Sequence, residues 1–251
     1  MEEERKLIVG IDIGERTTQM SCFDFTSYEP VSIGRMVNGE RKYEIPTALA
    51  VDTKKGEWFW ADEAEEDSGD VILLRYLLAD VMRDEVITVG EYSVESYQVL
   101  KRFVVKVLSI LSEYYPKDKI RKLVVTLAEK TEKLMEYFGR IGEELHLPQG
   151  VLVVQNHRQS YMYYAISQPK ELWVNNVGLF ELDHNRLMYL QINIDRKVIP
   201  YIIGVTQRDL TDGIDWEGLE QQGEEKVAYA FLNAANTALH KQYVTTLYVT
   251  G

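Results

Sequence analysis

The sequence has a single cysteine, Cys22, in 251 residues. An internal disulfide is thereby excluded, and the usage suits a reducing cytoplasm. Cys22 falls inside the strand-like run Gln19-Met20-Ser21-Cys22-Phe23, which points to a buried structural thiol rather than a nucleophile. Positive charge is scarce as well: 28 Lys and Arg stand against 40 Asp and Glu, a formal net charge of -12, and no segment gathers the basic residues into a stripe. Nucleic-acid binding through phosphate neutralisation is therefore not expected. Long apolar runs are missing, since no window approaches the roughly 18 residues of a membrane span, and no membrane partner is expected. The opening Met1-Glu2-Glu3-Glu4-Arg5 carries acids where a secretory signal has a basic region. Low-complexity segments are absent, and the acidic residues 62–70 read as a solvated loop. What remains is 45% hydrophobic and 27% charged, an ordinary globular composition with enough chain for one large domain or two modest ones.

Residues 6–13 form a β-branched apolar run, broken at 14–17 and resumed as an alternating pattern over 18–25, which predicts strand, turn, strand. A second strand pair is predicted over 45–52 and 57–61, joined by Thr53-Lys54-Lys55-Gly56. The period then turns helical over 71–82 and 94–114. In the second of these, Val99, Phe103, Val107 and Ile110 define one face, with Ser93 the expected N-cap and Pro116 the stop. Two strand–helix units follow, 122–127 with 130–145 and 151–154 with 158–166. A third meander over 172–182, 186–194 and 198–204 leads to a helix around 224–240 and a last strand at 245–249. Hairpins alternating with strand–helix units predict a mixed-sheet α/β protein. Val9-Gly10-Ile11-Asp12-Ile13-Gly14 and Gly178-Leu179-Phe180-Glu181-Leu182-Asp183 each bring an acid to the end of an apolar strand before a tight turn. Such a repeat suggests two related lobes whose turns would clamp a phosphate chain from two sides.

The first of these stretches resembles the first phosphate motif of the actin/Hsp70 superfamily, a short apolar strand ending in Asp-x-Gly. Further segments resemble Hsp70 in the same order. Ile45-Pro46-Thr47-Ala48-Leu49-Ala50-Val51 with Trp60-Ala61-Asp62-Glu63-Ala64 is similar to its early hairpin, and Glu91-Tyr92-Ser93-Val94-Glu95-Ser96 to the start of its long helix. Leu123-Val124-Val125-Thr126-Leu127-Ala128, residues 151–166 and the stretch from Leu179 continue the series, so the resemblance covers most of residues 7–195. It implies ribonuclease H-like, actin/Hsp70-type duplicated lobes, with mixed β-sheets flanked by helices. The first lobe is expected in residues 1–168 and the start of an incomplete second lobe in 169–251, where residues 245–251 look like the beginning of the adenosine motif.

On this resemblance Asp12 would hold Mg2+ through water, while Gly14, Arg16, Thr17 and Thr18 would lie beside the phosphates of ATP. Glu181 and Asp183 would belong to the second phosphate motif. The departures bear on activity. Arg16 suits a phosphate, but Glu15 repels one. The second glycine-rich turn is replaced by Asp183-His184-Asn185-Arg186, whose side chains obstruct close approach of backbone amides. The position of the family's catalytic Glu or Gln falls on Asn156, a shorter amide that cannot act as a base, with His157-Arg158 in place of Pro-Thr. Arg75 falls near a basic residue that Hsp70 uses at the γ-phosphate. The expectation is a degenerate nucleotide site, a pseudo-ATPase or regulatory module acting through a protein partner, with ATP and Mg2+ bound weakly or not at all. The alternative is an active Mg-ATP-binding, chaperone-like ATPase. Plainer readings stand beside these: Asp12 as a turn cap, Glu181 and Asp183 as an exposed hairpin turn. Tyr161, Tyr163 and Tyr164 read as packing, and His146, His184 and His240 show no zinc-ligand spacing.

Overall fold

The computed structural model describes residues 6–63, 70–173, 176–183, 186–195 and 202–250. The chain divides into two compact units, Met1–Asn156 and His157–Gly251. The division precedes the helix that the sequence reading assigns to the first lobe.

In the first unit β1 (Leu7–Ile13) and β2 (Thr17–Asp24) form a hairpin, followed by β3 (Glu29–Ile33), β4 (Arg35–Val37), β5 (Glu40–Lys42) and β6 (Ile45–Pro46). A three-stranded sheet comes next, from β7 (Leu49–Asp52), β8 (Glu57–Trp60) and β9 (Val71–Leu74). Then come α1 (Leu77–Arg83), the hairpin β10 (Val86–Val89) with β11 (Tyr92–Glu95), and the long α2 (Ser96–Tyr114). The strand–helix pair β12 (Ile120–Leu127) and α3 (Glu132–Glu144) precedes β13 (Leu152–Asn156). The main sheet runs β13-β12-β1-β2-β3, with β6 paired to β2. Its β1, β12 and β13 are parallel, while β2 and β3 are antiparallel. The second unit contains α4 (His157–Ser167), β14 (Val177–Asp183), β15 (Arg186–Asp195), β16 (Ile202–Asp209), α5 (Trp216–Gln222), α6 (Glu224–Leu239) and β17 (Thr246–Thr250). Its sheet is ordered β16-β15-β14-β17, with β14 parallel to β17. Both sheets thus place a meander's first strand beside a later parallel strand.

Strand periodicity decides what is buried. Leu7, Val9, Ile11 and Ile13 share one core with Tyr97, Phe103 and Val107 of α2 and Leu134, Phe138 and Ile141 of α3. The alternate residues Ile8, Gly10 and Asp12 face away from that core, because successive side chains of a strand point to opposite faces. Cys22 is buried in β2 with its thiol pushed up to about 11, first by burial and then by the charge of Asp24. Polar groups also join α2 to α3: Tyr97 donates to Glu144 at 2.7 Å, and Lys101 pairs with the same carboxylate. Burial first, then Glu144, pushes the Tyr97 phenol up to about 12.

Several elements depart from the sequence expectations. The helix expected over 71–82 starts only at Leu77; Val71–Leu74 pairs antiparallel with β7, since a short run with β-branched Val71 and Ile72 satisfies either period. Ser93 does not cap α2: it lies in β11 opposite Thr88, and α2 begins after Glu95, which gives no side-chain cap. Thr131 caps α3, accepting from the Leu134 amide at 3.3 Å. The acidic stretch is only partly a solvated loop, since Asp62 pairs with buried Arg35 and Asp70 with Lys54. Residues 64–69 lie outside the described ones. Among the described residues no helix is long and apolar enough to cross a membrane.

Candidate functional site

The hairpin that follows Asp12 turns tightly. Ile13 pairs with Thr18, and the Gly14 amide donates to the Thr17 carbonyl at 3.0 Å, leaving Glu15 and Arg16 exposed at the tip. A Cβ on Gly14 would lie 2.9 Å from the Thr17 carbonyl oxygen, so the close turn itself demands glycine. Thr17 is exposed beside Pro46. Thr18 is fully buried, and its hydroxyl is 2.9 Å from that of Thr47, also fully buried. The Thr47 amide donates to the Arg16 carbonyl at 2.7 Å. Thr18 therefore fixes the turn from below and does not present its hydroxyl to a ligand. Gly14 likewise turns its N–H inward.

Register assembles a different polar set on the other face of the sheet. Asp12 pairs with Thr126 of β12 on one side and Gln19 of β2 on the other, and Thr126 pairs with Gln155 of β13. Asp12, Thr126 and Gln155 stand near the carboxyl ends of parallel strands, where open α/β sheets bind ligands. Asn156 is one residue farther along, opposite Leu127, and the period of two directs it to the face away from Asp12. The residue aligned with Asp12 is thus Gln155. The sequence contains this signal only as alternation within Val153-Val154-Gln155-Asn156, and the cross-strand register selects one of the two amides. Gly10, Asp12, Gln19, Ser21, Ser32 and Thr126 line a cavity of ≈ 230 Å³. That is below the range of about 300–1,000 Å³ usual for pockets holding an organic ligand.

The second unit holds Glu181 differently from the expectation. His157 Nδ1 lies against Glu181 Oε1, and the Tyr161 hydroxyl donates to the same oxygen at 3.1 Å. His157 is buried, and its ring lies 5.9 Å from that of Tyr161. His157 and Tyr161 are four residues apart on α4 and so share a face. A carboxylate oxygen accepting two donors fixes the imidazole and anchors the helix to the sheet. Asp183 ends β14 in register with Arg186. His184 and Asn185, expected between them, lie outside the described residues, and Arg75 is exposed just before α1. Among the described residues no group of three or more His, Cys, Asp and Glu is arranged to hold a metal.

No curated protein matches the chain. A family match begins after β2 and takes in the remaining elements of both units, residues 29–251. The chain belongs to the family described as "Family of unknown function (DUF5716) C-terminal".

Proposed function

We propose that the chain is an actin/Hsp70-like module, built from duplicated ribonuclease H-like lobes, whose nucleotide site is degenerate and which acts through binding rather than turnover. The strand order common to the two sheets supports the lobe reading, and the turn after Asp12 carries the functional one. A phosphate-binding turn offers inward amides and hydroxyls to the anion. Here the Gly14 amide is consumed by Thr17, the Thr18 hydroxyl is buried against Thr47, and the exposed tip carries a glutamate beside its arginine. Mg2+ would be held through water, with Asp12 supplying a carboxylate between the amide of Gln19 and the hydroxyl of Thr126 on the neighbouring strands. When bound, the ion would neutralise phosphate charge; the protein's part is to hold its water shell at Asp12.

The second reading, an active Mg-ATPase, is favoured by one observation: Gln155, an amide long enough to orient a water, is in register with the strand position next to Asp12. Calorimetric titration of Mg-ATP into the chain separates the two. Dissociation constants above about 1 mM, with Asp12→Ala causing no change, are expected for the degenerate module. Micromolar binding that Asp12→Ala abolishes, with hydrolysis lost in Gln155→Ala but kept in Asn156→Ala, overturns it for the ATPase.

A further inference from the structure

We propose that Asn38-Gly39, the turn between β4 and β5, is a site of spontaneous modification, where the peptide rearranges through a succinimide to aspartate and isoaspartate while the chain stays folded. It is the one Asn-Gly pair in the sequence. Val37 and Glu40 are in register, so these two residues make the whole connection. Both have positive φ, 52 for Asn38 and 85 for Gly39, as a type I′ turn requires. Both are exposed, and a Cβ on Gly39 would meet nothing within 4 Å. Among the described residues no hydrogen bond holds the Asn38 side chain or the Gly39 amide.

Ring closure is compatible with this hairpin. The Gly39 nitrogen must reach Cγ of Asn38, which means rotating the peptide between the two residues. That rotation converts the type I′ turn to type II′, in which the first central residue keeps its positive φ and only the second changes sign. Both turns match the twist of a two-residue hairpin, and glycine tolerates either sign of φ, so Val37 and Glu40 need not part. The Gly39 nitrogen then bonds to Cγ, and Nδ2 leaves as ammonia with the proton that the Gly39 amide gives up. Water next adds across one of the two ring bonds between carbonyl carbon and nitrogen. Opening at the side-chain carbonyl leaves aspartate in an ordinary main chain. Opening at the main-chain carbonyl leaves isoaspartate, whose backbone runs through Cβ. Aspartate still suits the turn and adds a charge beside Glu40. Isoaspartate adds a main-chain atom to a two-residue connection, which upsets the register of Val37 with Glu40 and of Met36 with Arg41. Arg41 lies over the Tyr114 ring at 5.3 Å, and that contact with the end of α2 loosens with it.

The test is incubation of the full chain in mildly alkaline, non-denaturing buffer, followed by peptide mapping and by methyl labelling with an isoaspartyl methyltransferase. A synthetic peptide of residues 35–42 in the same buffer sets the rate without the fold. The folded chain is expected to convert at Asn38 within about tenfold of the peptide, the penalty of one modest barrier. Label should map to residues 35–42, and Asn38→Gly, which keeps a dipeptide suited to the turn, should remove it from that segment together with the matching release of ammonia. A folded chain that stays unlabelled while the peptide converts overturns the proposal, as does label that maps mainly outside that segment. So does a rate that climbs steeply in urea below the unfolding transition, because the reaction would then run through an opened hairpin.

Discussion

The two units order their sheets alike but fill them differently. In the first, α2 buries Tyr97, Leu100, Phe103 and Ile110 against β1, whose apolar residues are almost wholly covered, and α3 adds Phe138 to the same core. In the second, α6 buries only Ala235 and Ala238, leaving Tyr229 and Leu232 on the surface. Edge strand β17 exposes Leu247 and Val249. Burial stabilises by about 25 cal/mol per Å² of apolar surface, so α6, whose Val227, Phe231 and Leu239 reach its core only partly buried, cannot match α2, whose rings and branched chains are almost wholly covered. One strand order can thus be realised with very unequal cores. Stepwise unfolding in urea, with the second unit first, is the expected consequence.

The largest expected effect breaks the stronger side. Phe103→Ala, at a fully buried position, should cost about 3–5 kcal/mol and move the later urea transition, leaving the earlier one in place. Trp216→Ala, beneath α6 in the weaker core, should cost about 3 kcal/mol and shift only the earlier transition, because its partly buried neighbours can close in. A single transition moved by both variants would show that the units unfold together. The smallest effect concerns pH. Lys101 and then Tyr97 hold the Glu144 carboxyl below its usual 4.5. A lowered carboxyl stabilises above its unfolded value and loses that contribution as the pH falls through the folded one. The melting-temperature difference between the native chain and Glu144→Gln should therefore be slight at neutral pH and vanish in acid, as scanning calorimetry across pH would register.

Much of the first unit was legible because its elements are long and strictly periodic. The β1–β2 hairpin, the face of α2 through Val99, Phe103, Val107 and Ile110, the strand–helix pair β12–α3 and the strand β13 all follow from spacing. Short segments were not. Val71–Leu74 is a strand because β7 offers an edge, and that edge lies outside any local window. The site was legible in part. Asp12 is recognisable as the acid ending an apolar strand, but the choice between Gln155 and Asn156 depends on register with Thr126, and a slip of one residue exchanges their faces. The spacing of His157 and Tyr161 announces a common helix face, yet their shared acceptor Glu181 comes from a strand beyond α4.

The buried thiol of Cys22 has a practical corollary. With its ionisation deferred to about 11 and the sequence otherwise free of cysteine, the native protein offers maleimide reagents almost no thiolate at neutral pH. Any cysteine introduced on the surface becomes a unique chemical handle, so spin labels or dye pairs could follow each unit without first engineering a cysteine-free background.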